Sequence, residues 1–238
     1  GKRDLDILKD IYPSIIKTKI NFIIGGSFKA NYIKKKNNLE KNPTYDFTYV
    51  SQIMGNLLNK NEKDDFRNFH NNEADKILLL LSSYIKKNNL SCQILLRSFG
   101  KEKQDEMNFI KKYFGDYKKI TFKNRENDFS SYHFILDTKI VISAHSQLTE
   151  EAMILNKKAF FMQIYSHKIY KFYPNKYNNF NSMWPWNINK FDGNFFEKKM
   201  NELLKIDNKF FFKQNSKKIE YMINSECNLR DQILLLAR

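Results

Sequence analysis

His133–Tyr165, HFILDTKIVISAHSQLTEEAMILNKKAFFMQIY, decides the fold. Its pieces follow one another without slack. Lys139–Ser143 (KIVIS) is a β-branched run between polar residues, as in a buried strand. Ala144–Gln147 (AHSQ) is a tight polar turn, and Leu148–Leu155 (LTEEAMIL) is long enough for about two helical turns. Ala159–Ile164 (AFFMQI) is a second buried strand. Strand, turn, helix and strand make a βαβ unit, which is parallel and right-handed. Ligands of open parallel sheets bind beyond the carboxyl ends of the strands. The turn His145-Ser146-Gln147 therefore falls on the ligand edge, ahead of a helix N-terminus. There, free backbone N–H groups and the helix dipole favour an anion such as phosphate.

The chain before this unit repeats the pattern. Thr44–Ser51 (TYDFTYVS) is a strand that runs into Ser51-Gln52. Asn59–Asn72 is polar surface, and Glu73–Lys87 is a helix with Ala74, Ile77, Leu78, Leu81 and Ile85 on one stripe. Ser91–Leu96 is a strand that stops at Arg97-Ser98-Phe99-Gly100. Gln104–Phe114 is a helix and Lys119–Phe122 a strand. Ser130-Ser131-Tyr132 caps a helix carrying His133–Leu136. From Thr44 onward the order is β-α-β-α-β-α-β-α-β. That predicts an α/β fold with a doubly wound, Rossmann-like parallel sheet, the nucleotide-binding type of architecture.

Two regions flank this sheet. Residues 1–43 form an N-terminal segment: a helix over Asp4–Ile16 that Pro13 ends or bends, a strand over Lys19–Ile24, the turn Gly25-Gly26-Ser27, and a linker over Lys34–Pro43. The Gly-Gly-Ser turn either simply reverses the chain or holds an anion. Residues 44–238 form the main domain with C-terminal helices. His167–Trp186 has no clear period; Phe195–Ile206, Phe210–Phe212, Ile219–Ile223 and Leu229–Leu236 then supply a helical tail that wraps back. Trp184-Pro185-Trp186 either packs or stacks on a ring.

Hydrophobic residues make up 42% and aromatics 15% of the 238 residues, which excludes a disordered chain. No apolar run approaches the roughly 18 residues of a membrane span. The chain opens on Gly1 with no signal peptide in view, which suggests a segment of something longer. Cys92 and Cys227 form no metal or redox motif and are expected as reduced thiols in a cytoplasmic protein. His70, His133 and His167 are expected to be structural. No spacing among them makes a metal site, so no metal or other cofactor is expected. The net charge of +15 is almost all lysine, with only six arginines and abundant asparagine. No RNA-binding, zinc-finger or helix-turn-helix signature accompanies it, so no specific nucleic-acid partner is expected. The charge would steer phosphorylated ligands or touch an anionic membrane surface.

Three stretches carry a family resemblance: Tyr45–Gln52 (YDFTYVSQ), Gln93–Gly100 (QILLRSFG) and Ile140–Phe161 (IVISAHSQLTEEAMILNKKAFF). Their order resembles the C-terminal, donor-binding half of a GT-B glycosyltransferase, nearest the bacterial surface-carbohydrate transferases that use CMP- or CDP-activated donors. The likeness covers about Thr44–Tyr165. It departs from the family at Gln147, where a second Ser or Thr is common, at Asn156 in place of glycine, and at Ala159 after Lys157-Lys158 where proline is typical. Arg97-Ser98-Phe99 also lacks the His-Pro pair. Asn156 still supplies the left-handed turn conformation.

The resemblance implies transfer of a sugar from a nucleotide sugar to a glycan or lipid-linked acceptor at the cytoplasmic face of the membrane. Ser146 and the backbone N–H groups behind it would hold the donor phosphate, with Gln147 at the same turn. Arg97 would neutralise that phosphate and His145 donate to it. Glu151 resembles the glutamate that binds the ribose hydroxyls, and Ser51 and Gln52 would line the facing loop. No catalytic base is assigned, because that half of the fold holds the donor. Each residue also has a plainer role: Ser146 as a helix N-cap, Arg97 in a surface ion pair, His145 packed in its turn, Glu151 paired with Lys157 or Lys158. A CDP-glycerol-type polyol-phosphate transferase resembles the same half-fold. A non-catalytic basic module for nucleic acid or anionic lipid is the alternative of another class.

Overall fold

The computed structural model describes residues 2–11, 26–37, 42–53, 65–100, 102–164 and 184–223. Six parallel strands form its sheet: β1 Tyr45–Val50, β2 Cys92–Leu95, β3 Ile120–Lys123, β4 Thr138–Ser143, β5 Lys158–Met162 and β6 Asn187–Ile188. Their order is β3-β2-β1-β4-β5-β6, so the sheet is doubly wound as expected. The connections from β1 run outward one way and those from β4 the other. The switch point lies between these two neighbours. Register there pairs Phe47 with Ile140 and Tyr49 with Ile142. β2, β4 and β5 are almost wholly buried, which is why KIVIS and AFFMQI read as apolar runs, whereas β1 alternates aromatic and polar residues although Phe47–Val50 are all buried.

Helices α3 Asp65–Lys87, α4 Glu102–Phe114 and α7 Gly193–Lys205 cover one face. A chain of edge-to-face rings holds them, Phe47–Tyr84 at 6.2 Å, Tyr84–Phe196 at 5.6 Å and Phe160–Phe196 at 5.8 Å. The buried Lys158 at the start of β5 donates to the carbonyls of Leu203 and Ile206, closing the C-terminal end of α7. On the other face lie α5 Ser130–Leu136 and α6 Gln147–Ile154. Against α6 pack α2 Phe28–Lys36 and α8 Asn208–Ile223, and α1 Lys2–Ile11 packs on α8. α8 of the expected tail thus packs on α6 of this sheet rather than across a neighbouring domain. Asn156 takes φ +56° between α6 and β5, the left-handed turn expected of it.

The sequence reading needs correcting in several places. Lys34–Lys36 is the last turn of α2 rather than the start of a linker. Ser27 caps that helix by accepting from Ala30 N–H at 3.2 Å, and the lysines suit its negative end. α3 begins at Asp65, eight residues before the expected Glu73, through polar sequence that carries no apolar period. Ser130 is the first helical residue of α5, not part of a cap; Asn127 Oδ1 accepts from Phe129 and Ser130 N–H at 2.9 Å each. Phe210–Phe212 and Ile219–Ile223 belong to a single helix, α8. β6 was not foreseen. It is held where Phe161 N–H donates to Trp186 O (3.1 Å) and Gln163 N–H to Ile188 O (2.8 Å). Trp184 is fully buried and donates from Nε1 to Ala159 O at 3.1 Å, so it belongs to the core. Cys92 is a free thiol whose burial pushes it up to about 12. The expected strand Lys19–Ile24, the end of the first helix at Pro13, Gly25, the side chain of His70, His167, Cys227 and the helix over Leu229–Leu236 lie outside the described residues.

Candidate functional site

The carboxyl ends of β1, β2 and β4 open into a cleft of about 490 Å³ at the switch point. All seven residues singled out from the sequence line it: Ser51 and Gln52 beyond β1, Arg97 beyond β2, His145 and Ser146 beyond β4, and Gln147 and Glu151 on α6. The loops beyond β1 and β4 are tied together, because His145 N–H donates to Gln52 Oε1 at 2.7 Å. Ser51 is buried, and its N–H continues the ladder to Leu95 O at 3.0 Å.

Ser146 stands at the N-cap position of α6 with extended backbone, yet its side chain makes no capping bond. Its own N–H is taken by Ser143 Oγ at 3.0 Å, and its carbonyl accepts from Thr149 N–H at 3.0 Å. The Ser146 hydroxyl is thus not spent on the helix. Arg97 is exposed, and no carboxylate among the described residues lies within ion-pair distance of its guanidinium. The surface ion pair considered from sequence is absent there. Instead the loop is gripped from beneath: the buried Glu106 of α4 accepts from Arg97 N–H at 3.1 Å and Ser98 N–H at 2.8 Å.

Glu151 is only 7% exposed, not a surface residue. It accepts from Tyr132 Oη–H at 2.7 Å and from Gln147 Nε2 at 3.3 Å. Burial pushes its carboxyl above the ordinary range, against the opposing pull of hydrogen bonds from Tyr132 and Ser27. Lys158, one expected partner, is engaged at α7 instead. Across the cleft stand Lys29 and Arg125, with Asp128 between them at 3.1 and 3.7 Å. Lys29 holds the exposed Asp128 carboxyl below the ordinary range.

Sequence reasoning did not single out Lys29, Arg125, Tyr132, Glu73 or Glu106. A signal existed for the two glutamates. Glu73 stands four residues before Ile77, and Glu106 four before Ile110, so each occupies a core position on an apolar helical stripe. An acid there is buried, and a buried acid needs donors. His145 Nδ1 lies 3.9 Å from Glu73 Oε2. His133 is exposed. Among the described residues no group of three or more His, Cys, Asp or Glu is placed to hold a metal ion. No described helix is long and apolar enough to cross a membrane.

Fold and cleft together define a doubly wound α/β domain with an open cleft at the topological switch point. The chain belongs to a protein family described as "putative O-antigen biosynthesis protein", whose profile matches residues 6–235. No curated protein sequence matches it. Among solved structures, the UDP-GlcNAc 2-epimerase of Neisseria meningitidis, crystallised with UDP-GlcNAc, aligns over 97% of this chain and 51% of its own. The identity is 10% and the TM-score 0.45. The UDP-GlcNAc 2-epimerase of Methanocaldococcus jannaschii, in complex with UDP-GlcNAc and UDP, aligns over 82% of this chain and 52% of its own, at 13% identity and a TM-score of 0.49. The chain thus spans about half the length of these structures.

Proposed function

We propose that this domain binds the nucleotide-activated donor of a glycosyltransferase that builds a cell-surface polysaccharide. The observation that carries it is the cleft itself. A guanidinium at Arg97 with no ion-pair partner among the described residues, a Ser146 hydroxyl that makes no capping bond at a helix N-terminus, and a buried carboxylate at Glu151 line one cavity at the switch point. The first two suit a phosphate and the third a pair of sugar hydroxyls. Membership of an O-antigen biosynthesis family supports a carbohydrate reaction.

In this function the donor phosphate is the leaving group. Arg97, Ser146 and the first N–H groups of α6 stabilise the charge that grows on it as the glycosidic bond breaks. Arg97 takes the neutralising role, and no metal is required. His145 and Gln147 add donors, Glu151 holds the ribose, and Ser51 and Gln52 shape the facing wall. The acceptor is a glycan or lipid-linked glycan, and the positive charge draws the protein to the anionic inner face of the membrane. CMP- and CDP-linked donors come first by motif order, although the loop at Arg97 lacks the His-Pro pair. A CDP-glycerol-type polyol-phosphate transferase would use the same cleft.

Calorimetric titration with CMP, CDP, UDP and GDP tests this, on the wild type and on Arg97→Ala and Ser146→Ala. One nucleotide is expected to bind selectively, with at least a tenfold loss in Arg97→Ala; its base names the donor class. Binding of none, alongside steeply salt-dependent binding of a nucleic acid, would overturn the proposal in favour of a basic non-catalytic module.

A further inference from the structure

Behind the cleft lies a buried acid that the donor site, as assigned so far, does not use. Glu73, on α3, has a side chain only 2% exposed, and its Oε2 lies 3.9 Å from Nδ1 of His145, whose side chain is 15% exposed at the cleft. The backbone of His145 is fixed, because its N–H donates to Gln52 Oε1. A carboxylate at that distance lowers the cost of the imidazolium relative to the neutral ring. We propose that Glu73 is a positioning residue that keeps His145 protonated at neutral pH, so that the cleft binds its anionic ligand in a pH-dependent way.

The chemistry turns on the two ring nitrogens. With Nδ1–H directed at Glu73, a neutral imidazole presents a lone pair at Nε2, which repels a phosphate oxygen. The imidazolium presents N–H there and attracts one. Titration of a single proton thus switches the ring from acceptor to donor. Among the described residues, the titratable and charged groups that share the cleft with His145 are Lys29, Arg97, Arg125, Asp128, Tyr132 and Glu151, and Tyr49 of β1 lies behind it near Glu73 and Glu106. Both Glu73 and Glu106 act on the buried Tyr49 hydroxyl, helping burial to push it up. The cationic Arg97 shares the cleft with His145 and acts the other way on the ring, as does burial. A folded-state pKa raised by Glu73 means that ligand affinity is full below the ordinary histidine value and lost as pH rises through the raised one.

The proposal rests on the donor-site reading for its ligand but not for the Glu73–His145 pairing, and the two are tested separately. Histidine ring resonances are followed by NMR from pH 5 to 9.5 in the wild type, with His145 assigned by its loss in His145→Asn. The His145 pKa is expected about one unit or more above the free value of about 6.5, and Glu73→Gln should bring it back to that value or below. A wild-type His145 that titrates at or below about 6.5 overturns the proposal, as does an unchanged value in Glu73→Gln. Should Glu73→Gln fail to fold by circular dichroism, the wild-type titration alone decides. CDP and UDP binding is then measured at pH 6 and pH 9. About a tenfold loss is expected in the wild type and little in His145→Asn; equal losses in both overturn the link to binding. If neither nucleotide binds, the donor reading falls together with the claimed effect on binding, while the ring titration still decides the pairing.

Discussion

Two loops meet at the cleft, and they are built differently. The loop beyond β2 is held by an acid on the helix that follows it: Glu106 of α4 grips the N–H groups of Arg97 and Ser98 at 3.1 and 2.8 Å. The loop beyond β4 is held by neutral groups at its own sheet edge, Ser143 Oγ on Ser146 N–H and Gln52 Oε1 on His145 N–H. The buried charge sets its loop rigidly, at the cost of desolvating a carboxylate. The neutral bonds leave the other loop cheaper to make and easier to alter.

The largest effect should therefore come from Glu106→Ala. It strips the acceptor from two N–H groups and should cost about 3 kcal/mol in urea unfolding. Glu106→Gln, which keeps the shape and one acceptor, should cost clearly less; equal losses would mean that the charge and the second acceptor, rather than packing, hold the loop. Tyr132→Phe comes next. It removes a 2.7 Å donor from the buried Glu151 and should cost about 2 kcal/mol.

The same carboxylate gives a pH signature. Its folded pKa is raised above the ordinary 4.5, so the stability it contributes is present below that value and is lost as pH rises through the folded one. Glu151→Gln should flatten that part of the pH profile of unfolding. Gln52→Ala removes one neutral bond and should cost about 1 kcal/mol. Ser146→Ala should be the mildest, below about 0.5 kcal/mol in thermal unfolding, because its hydroxyl makes no cap bond. A loss of 1 kcal/mol or more there would show that the hydroxyl caps α6 in solution.

Much of this was legible, and the failures share a cause. The βαβ unit announced itself through two apolar runs around a short polar turn, and Asn156 took the positive φ that its place required. The strand-end residues were found because parallel sheets bind ligands at that edge, so position alone selected them. What escaped was whatever carries no apolar period. α2 buries only Ala30 and Ile33, and β6 is two residues long. Glu73 and Glu106 were hidden in the opposite way, being acids on stripes whose hydrophobic neighbours drew attention to packing. The residues that line the cleft were thus visible, whereas those that support it from beneath needed the three-dimensional arrangement.

The clasp around α6 bears on how the protein is made. Arg3 of α1 donates to Glu150 of α6 at 2.7 and 2.9 Å, and Tyr221 of α8 donates to Asp6 at 3.0 Å. The helix whose first turn borders the cleft is thus buttressed by α1, and α1 in turn by a residue 215 positions further along. On the ribosome, the sheet edge and the turn at Ser146 emerge long before Tyr221. The nascent chain therefore passes through a stage in which every cleft residue has been made but the support behind α6 has not. The brace behind the cleft wall is thus complete only once α8 has been made.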